Sequence, residues 1–190
     1  EAEDRIHRYA RLIQQFQPEG VLLLLGYSAG CGLAFETAQL LEQQGRKLCL
    51  LQMDSYLKIG VTDLKGRTVE QDVDMLLQAN KDNPYMQLDH VKEGIRRKLT
   101  AYYTYHVELV NQGNLQSPIH FIRSQTDVAL PDTLVSWEQA TSGLYREYQG
   151  SGLHDELLTG SALPHNAALL DGIIPYEAEE GTSDRVLARP

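Results

Sequence analysis

The sequence predicts an α/β protein built on a mostly parallel sheet, and three observations carry that prediction. A continuous apolar run, Val21-Leu22-Leu23-Leu24-Leu25, has the length and composition of a strand buried on both faces. A helical pattern follows, with Cys31, Ala34, Phe35, Ala38 and Leu41 on one stripe and Glu36, Gln39, Glu42 and Gln43 facing away. A second apolar run, Leu48-Cys49-Leu50-Leu51-Gln52-Met53, comes next and is ended by Asp54. Strand, helix and strand in this order form a βαβ unit, whose reactive groups collect at the carboxyl ends of parallel strands.

Each element has its own signal. Residues 4–16 predict a helix capped by Asp4, with Ile6, Tyr9, Ala10, Ile13 and Phe16 as its apolar face, ended by Pro18-Glu19-Gly20. The turn after the first strand reads Gly26-Tyr27-Ser28-Ala29-Gly30. Gly-x-Ser-x-Gly is weak evidence alone, but between a buried strand and an amphipathic helix it has the setting of a nucleophile elbow. Such a turn strains the serine backbone, so the positions held by Gly26 and Gly30 are expected to exclude side chains. The following helix aims its first N–H groups at Ser28, and that of Ala29 is a candidate oxyanion donor. Gly45 is placed to end the helix, with Arg46 and Lys47 complementing its negative end.

From Gly60 to Val110 the pattern turns helical. Thr68 with Gln71 forms a candidate capping box ahead of Val69, Val73, Leu76 and Leu77. Asn80-Lys81-Asp82-Asn83-Pro84 reads as a turn, and Asp89 as the cap of a long helix carrying Val91, Ile95, Leu99, Tyr103, His106 and Val110. The stretch exceeds an ordinary crossover between strands and reads as a lid over the serine. Ile119-His120-Phe121-Ile122 is the next strand. Further helices are expected from Pro131 to Tyr148, around Leu134, Trp137 and Ala140, and from Pro164 to Ile173. The expected organisation is one domain over 1–175, with its lid at about 60–110, and a disordered acidic tail at 176–190.

Composition narrows the function. The 190 residues carry 17 Lys and Arg against 26 Asp and Glu, a net charge of −9, which argues against nucleic acid or an anionic membrane as partner. No apolar run approaches the ~18 residues of a membrane span. Cys31 and Cys49 occupy apolar positions, read as buried thiols suited to a reducing cytoplasm. CxxC, HExxH and His/Cys clusters are lacking, so no metal site is expected.

A serine needs a base, and the base needs a carboxylate. Of six histidines, His7 lies in the first helix, His90 and His106 in the candidate lid, His120 in a strand and His165 at the start of the last helix. His154 lies in a Gly-rich loop, Gly150-Ser151-Gly152-Leu153-His154-Asp155, read as flexible and late in the chain, where the base of an elbow serine belongs. For the acid, Asp54 closes the second strand directly, and Asp127 follows the Ile119–Ile122 strand, the more usual place. Either strand end can reach the histidine.

The stretches GYSAGCGLAFETAQLLEQQGR, QMDSY, VSWEQATSGLY and GSGLHDELL together resemble the thioesterase domain that ends nonribosomal peptide synthetases, above all those releasing lipopeptides of the surfactin kind. The resemblance covers most of residues 5–173. It implies an α/β-hydrolase fold with a mobile helical lid, with Ser28 as nucleophile, His154 as base and Asp54 as acid. It also implies that the substrate is a peptide thioester on the 4'-phosphopantetheine arm of a peptidyl carrier protein domain. The domain would be a monomeric part of a larger cytoplasmic synthetase, binding no cofactor itself, and acting by macrocyclisation or hydrolysis. Tyr27, Lys58 and Arg67 are candidate contacts to substrate or carrier. A stand-alone editing thioesterase or esterase, and a non-catalytic module of the same fold, remain as alternatives. Members of the family carry additional N-terminal strands and a second oxyanion-hole amide, so a chain beginning at Glu1 is expected to be truncated, aggregation-prone and a weak catalyst.

Overall fold

The computed structural model describes residues 2–126 and 130–181, and side chains within 4–126 and 130–174. The chain forms two compact units, one from the residues up to Ile59 with those from Asn111 on, the other Gly60–Val110. In chain order the elements are α1 (Ala2–Phe16), β1 (Leu22–Tyr27), α2 (Gly30–Gln43), β2 (Leu48–Met53) and β3 (Leu57–Lys58). Next come α3 (Val69–Ala79), α4 (Asp89–Glu108), β4 (Ile119–Arg123), β5 (Leu134–Val135), β6 (Tyr145–Gln149) and α5 (Leu163–Gly181).

In the first unit β1, β2, β4 and β6 form a parallel sheet in that order, with Leu22 opposite Leu48, Leu50 opposite Ile119 and Ile119 opposite Tyr145. β3 and β5 make a separate antiparallel pair. Every residue of β2 is buried, and its side chains alternate between two cores. Leu48 and Leu50 join Ala10, Phe35, Ala38, Leu41 and Trp137, whereas Cys49, Leu51 and Met53 join Leu157 and Ile173. Helices thus clothe both faces, which explains why β1 and β2 read as continuous apolar runs instead of alternating ones. Phe35 and Trp137 are fully buried and meet at 5.3 Å. Truncating a buried aromatic of this kind costs about 3–5 kcal/mol.

Three expectations are corrected. The helix expected from Pro131 to Tyr148 is instead β5, a 3₁₀ turn at Trp137–Ala140, and β6. Leu134, Trp137 and Ala140 are three apart, a spacing that suits a 3₁₀ turn, and Tyr145–Gln149 gains a full parallel ladder with β4. α5 continues past Ile173 to Gly181, so positions 176–181 of the expected tail are helical. Extending an existing helix is cheap, and Glu177-Ala178-Glu179-Glu180 are good helix formers. Residues 182–190 lie outside the described ones. The third correction is in the second unit, where α4 has Leu88 as its N-cap and Asp89 inside the first turn. There the carboxylate complements the helix dipole without capping it.

The capping box of α3 is formed, Thr68 Oγ1 accepting from the Gln71 N–H at 3.3 Å and Gln71 Oε1 from the Thr68 N–H at 2.8 Å. An ion pair of 2.5 Å from Arg96 to Asp74 links α4 to α3.

The two sheet edges differ. β6 presents Arg146 and Glu147, whereas β1 leaves Leu25 46% exposed. An apolar edge strand is a template for pairing with another chain. The isolated chain is therefore expected to self-associate on concentration, measured by light scattering on a sizing column. A monomer at every concentration would show that the β1 edge is protected.

Candidate active site

The site is built on the ends of two neighbouring strands. Tyr27 and Met53, the last residues of β1 and β2, lie opposite each other, and Ser28 and Asp54 directly follow them. The Ser28 N–H donates to the Met53 carbonyl at 2.9 Å and the Asp54 N–H to the Ile122 carbonyl at 2.9 Å, so each N–H extends its strand's pairing by one step. Both residues then turn into the left-handed region, with φ of 54° and 52°. A non-glycine residue held there costs about 1–3 kcal/mol, a strain typical of functional positions.

Gly26 is required for space. A Cβ at that position would come within 2.5 Å of Gln52 Oε1 and 2.7 Å of the Cys31 Cα. Gly30 is not required in the same way, and this corrects the expectation for it. It opens α2 on an exposed side, and a Cβ there meets no described atom within 4 Å. Gly26→Ala is expected to destabilise the elbow by roughly 1–3 kcal/mol through overpacking. Gly30→Ala should leave the melting temperature near its starting value, and equal losses in thermal unfolding would refute the distinction.

The structure brings Ser28, His154 and Asp54 into one hydrogen-bonded chain. Ser28 Oγ lies 2.8 Å from His154 Nε2, and His154 Nδ1 lies 2.7 Å from Asp54 Oδ2. The second carboxylate oxygen accepts the Ser124 N–H at 2.7 Å, from just beyond the end of β4. The Asp54 side chain is only 10% exposed, while that of His154 is 38% exposed and accessible to a substrate. Ser55, next after Asp54, has its carbonyl held at 2.5 Å by the indole N–H of Trp137. Ala29 is the N-cap of α2, where backbone N–H groups have no acceptor within the helix. Such an array can move a proton from the serine to the imidazole while the carboxylate stabilises the resulting charge.

The His154 loop differs from the flexible segment expected. His154–Glu156 form a 3₁₀ turn. The Leu153 N–H donates to Glu156 Oε2 at 2.9 Å, and Asn166 of α5 bonds Ser151 and Leu157 on either side. Two other histidines have partners away from Ser28. His120 is buried in β4 with its Nδ1 2.9 Å from the Tyr148 hydroxyl, and His165 approaches the Gln149 carbonyl at 3.4 Å. The alternative acid, Asp127, lies outside the described residues.

The candidate contacts separate. Tyr27 donates its hydroxyl to the His154 carbonyl at 2.6 Å and stacks its ring on the imidazole at 5.4 Å. Lys58 is buried in β3, and desolvation pulls its ammonium pKa below the usual lysine value. Arg67, in the second unit, pairs with Asp72 at 2.5 Å. Two site residues escaped the sequence reading. Asn166 carried no signal, but Gln52 did, as the one polar residue inside an apolar strand. Its amide donates to the Cys31 carbonyl at 3.0 Å, tying β2 to the first turn of α2. Among the described residues, no group of His, Cys, Asp and Glu could hold a metal and no helix is long and apolar enough to cross a membrane.

A Ser–His–Asp chain at the carboxyl ends of a helix-covered parallel sheet places the protein among the α/β-hydrolase folds. The chain belongs to the thioesterase domain family, whose model matches residues 1–176. It is 49% identical over 171 residues to surfactin synthase subunit 3 of Bacillus subtilis, a match covering 90% of this chain and 13% of that protein. Tyrocidine synthase 3 of Brevibacillus parabrevis is 30% identical, over 90% of this chain and 3% of its own length. The chain thus spans a small part of these relatives. Among solved structures, the surfactin thioesterase domain SrfTE matches with a TM-score of 0.78 and 48% identity, covering 90% of this chain and 75% of that one. The Vlm2 thioesterase domain shares the fold, with a TM-score of 0.73 at 21% identity over 91% of this chain and 74% of that one.

Proposed function

We propose that this domain releases a finished peptide or lipopeptide from a peptidyl carrier protein by acyl transfer through Ser28. The observation that carries the reading is the Ser28–His154–Asp54 hydrogen-bonded chain, in a sequence 49% identical to part of surfactin synthase subunit 3. His154 Nε2 takes the hydroxyl proton as Ser28 Oγ attacks the thioester carbonyl carbon. The oxyanion that forms is met by the Ala29 N–H, a kind of donor worth about 3 kcal/mol in the transition state. As the tetrahedral intermediate collapses, the C–S bond breaks and His154 returns its proton to the departing phosphopantetheine thiol. A second nucleophile then gives its proton to His154 and attacks the acyl-serine carbonyl, a group within the peptide yielding a macrocycle and water a linear acid. As this second intermediate collapses, the ester C–O bond breaks and His154 returns the proton to Ser28 Oγ. Asp54 holds the imidazole in the tautomer that accepts from serine and stabilises the cation between the two transfers. The Gly60–Val110 stretch takes the place in the sequence of the family's helical lid, and we assign it that role.

The test is incubation with a peptidyl N-acetylcysteamine thioester, with mass spectrometry of protein and products. An acyl adduct on the protein followed by a cyclic or hydrolysed peptide supports the reading. Labelling by a fluorophosphonate without thioester turnover would favour an esterase of other substrates, and no labelling a non-catalytic module.

A further inference from the structure

We infer that Tyr27 and Asn166 are positioning residues that together brace His154, so that the base is held by the nucleophile's own turn and by the last helix. The inference deepens the functional reading above and rests on Ser28 being the nucleophile.

Tyr27 is the residue before Ser28. Its hydroxyl reaches a backbone atom of His154 at 2.6 Å, and its ring lies nearly parallel to the imidazole, at 20° and 5.4 Å. The serine and the base are thereby joined twice, by the Oγ–Nε2 bond and by a tether between their main chains. A tyrosine whose hydroxyl is spent on a backbone carbonyl has no free donor for a substrate, which argues against the substrate contact expected for it. Burial and the nearby carboxylates of Asp155 and Asp54 raise its pKa, keeping the phenol protonated as the donor this bond needs.

Asn166 approaches from α5 and is fully buried. Its Oδ1 accepts the Ser151 N–H at 2.8 Å, and its Nδ2 donates to the Ser151 carbonyl at 2.9 Å and the Leu157 carbonyl at 2.8 Å. One amide therefore closes both sides of the stretch 151–157 that carries His154. Three short bonds leave little hydrogen-bonding capacity on this side chain unspent. The arrangement replaces the mobility expected of a loop holding Gly150 and Gly152 with a fixed geometry. Preorganisation of this kind matters because a base displaced by about 1 Å can lose roughly a hundredfold in rate.

The test is the second-order rate of fluorophosphonate inactivation per titrated active site, across pH, for Tyr27→Phe, Asn166→Ala and the parent chain. Both variants are expected to react roughly ten- to a hundredfold more slowly per active site. Against a thioester, kcat should fall while KM holds. Phenylalanine keeps the ring stack and removes only the hydroxyl, so Tyr27→Phe is expected to fold and serves as the variant that keeps the inference falsifiable. A raised KM with unchanged kcat for Tyr27→Phe would make Tyr27 a substrate contact. A lower titre of active sites with an unchanged rate per site for Asn166→Ala would make Asn166 a residue of folding alone. Because the probe needs only an activated serine, inactivation without thioester turnover would overturn the proposed substrate and leave the brace intact.

Discussion

Replacing Ser28 by alanine is expected to abolish acyl-enzyme formation, lowering turnover by about a millionfold while the fold survives. Only a hydroxyl is lost, and the backbone bond from residue 28 to the Met53 carbonyl remains. Intact-mass analysis after exposure to an acyl thioester is the measurement. A persistent adduct on the alanine variant would place the nucleophile elsewhere. Cys31, three residues on, is no ready substitute. It is fully buried, and burial pushes its thiol pKa up to about 12, so thiolate is scarce at neutral pH.

Asp54→Asn is expected to cost roughly a thousandfold or more in kcat. Asparagine keeps an oxygen for the Ser124 N–H, but a carboxamide cannot stabilise the imidazolium as a carboxylate does. The variant should therefore fold and still bind substrate, with the loss confined to proton transfer. Asp127→Asn is the companion measurement, expected to retain nearly all activity. A larger loss at Asp127 than at Asp54 would move the acid to the segment following β4.

Much of what depends on neighbours in the chain was legible in the sequence. β1 and β2 announced themselves because a parallel sheet covered on both faces demands unbroken apolar runs. The elbow followed from five consecutive residues, and the α3 cap from two residues three apart. β6 was hidden because Tyr-Arg-Glu-Tyr-Gln at a sheet edge has no buried face to impose a pattern, and its pairing with β4 is set by the fold. Gly30 was over-read, since the crowding that requires Gly26 comes from Gln52 and Cys31 on one side of the turn only. The bonds of Tyr27 and Asn166 to the His154 segment were out of reach for the same reason as β6. Their partners lie 127 and 15 residues away and meet them only after folding.

The adjacency of Ser28 and Asp54, each one step beyond a pair of facing strand residues, has an evolutionary consequence. The distance between the two functional groups is set by the spacing of neighbouring strands, about 4.8 Å, and by no loop. The end of β4 holds Asp54 through main-chain groups, the Ile122 carbonyl and the Ser124 N–H, the second of which every amino acid except proline can provide. The proposed relay thus draws on no side chain at position 124. With Asp54 as the proposed acid, descendants of this domain could change the connection beyond Ser124 in adapting to new acyl groups while keeping the same relay.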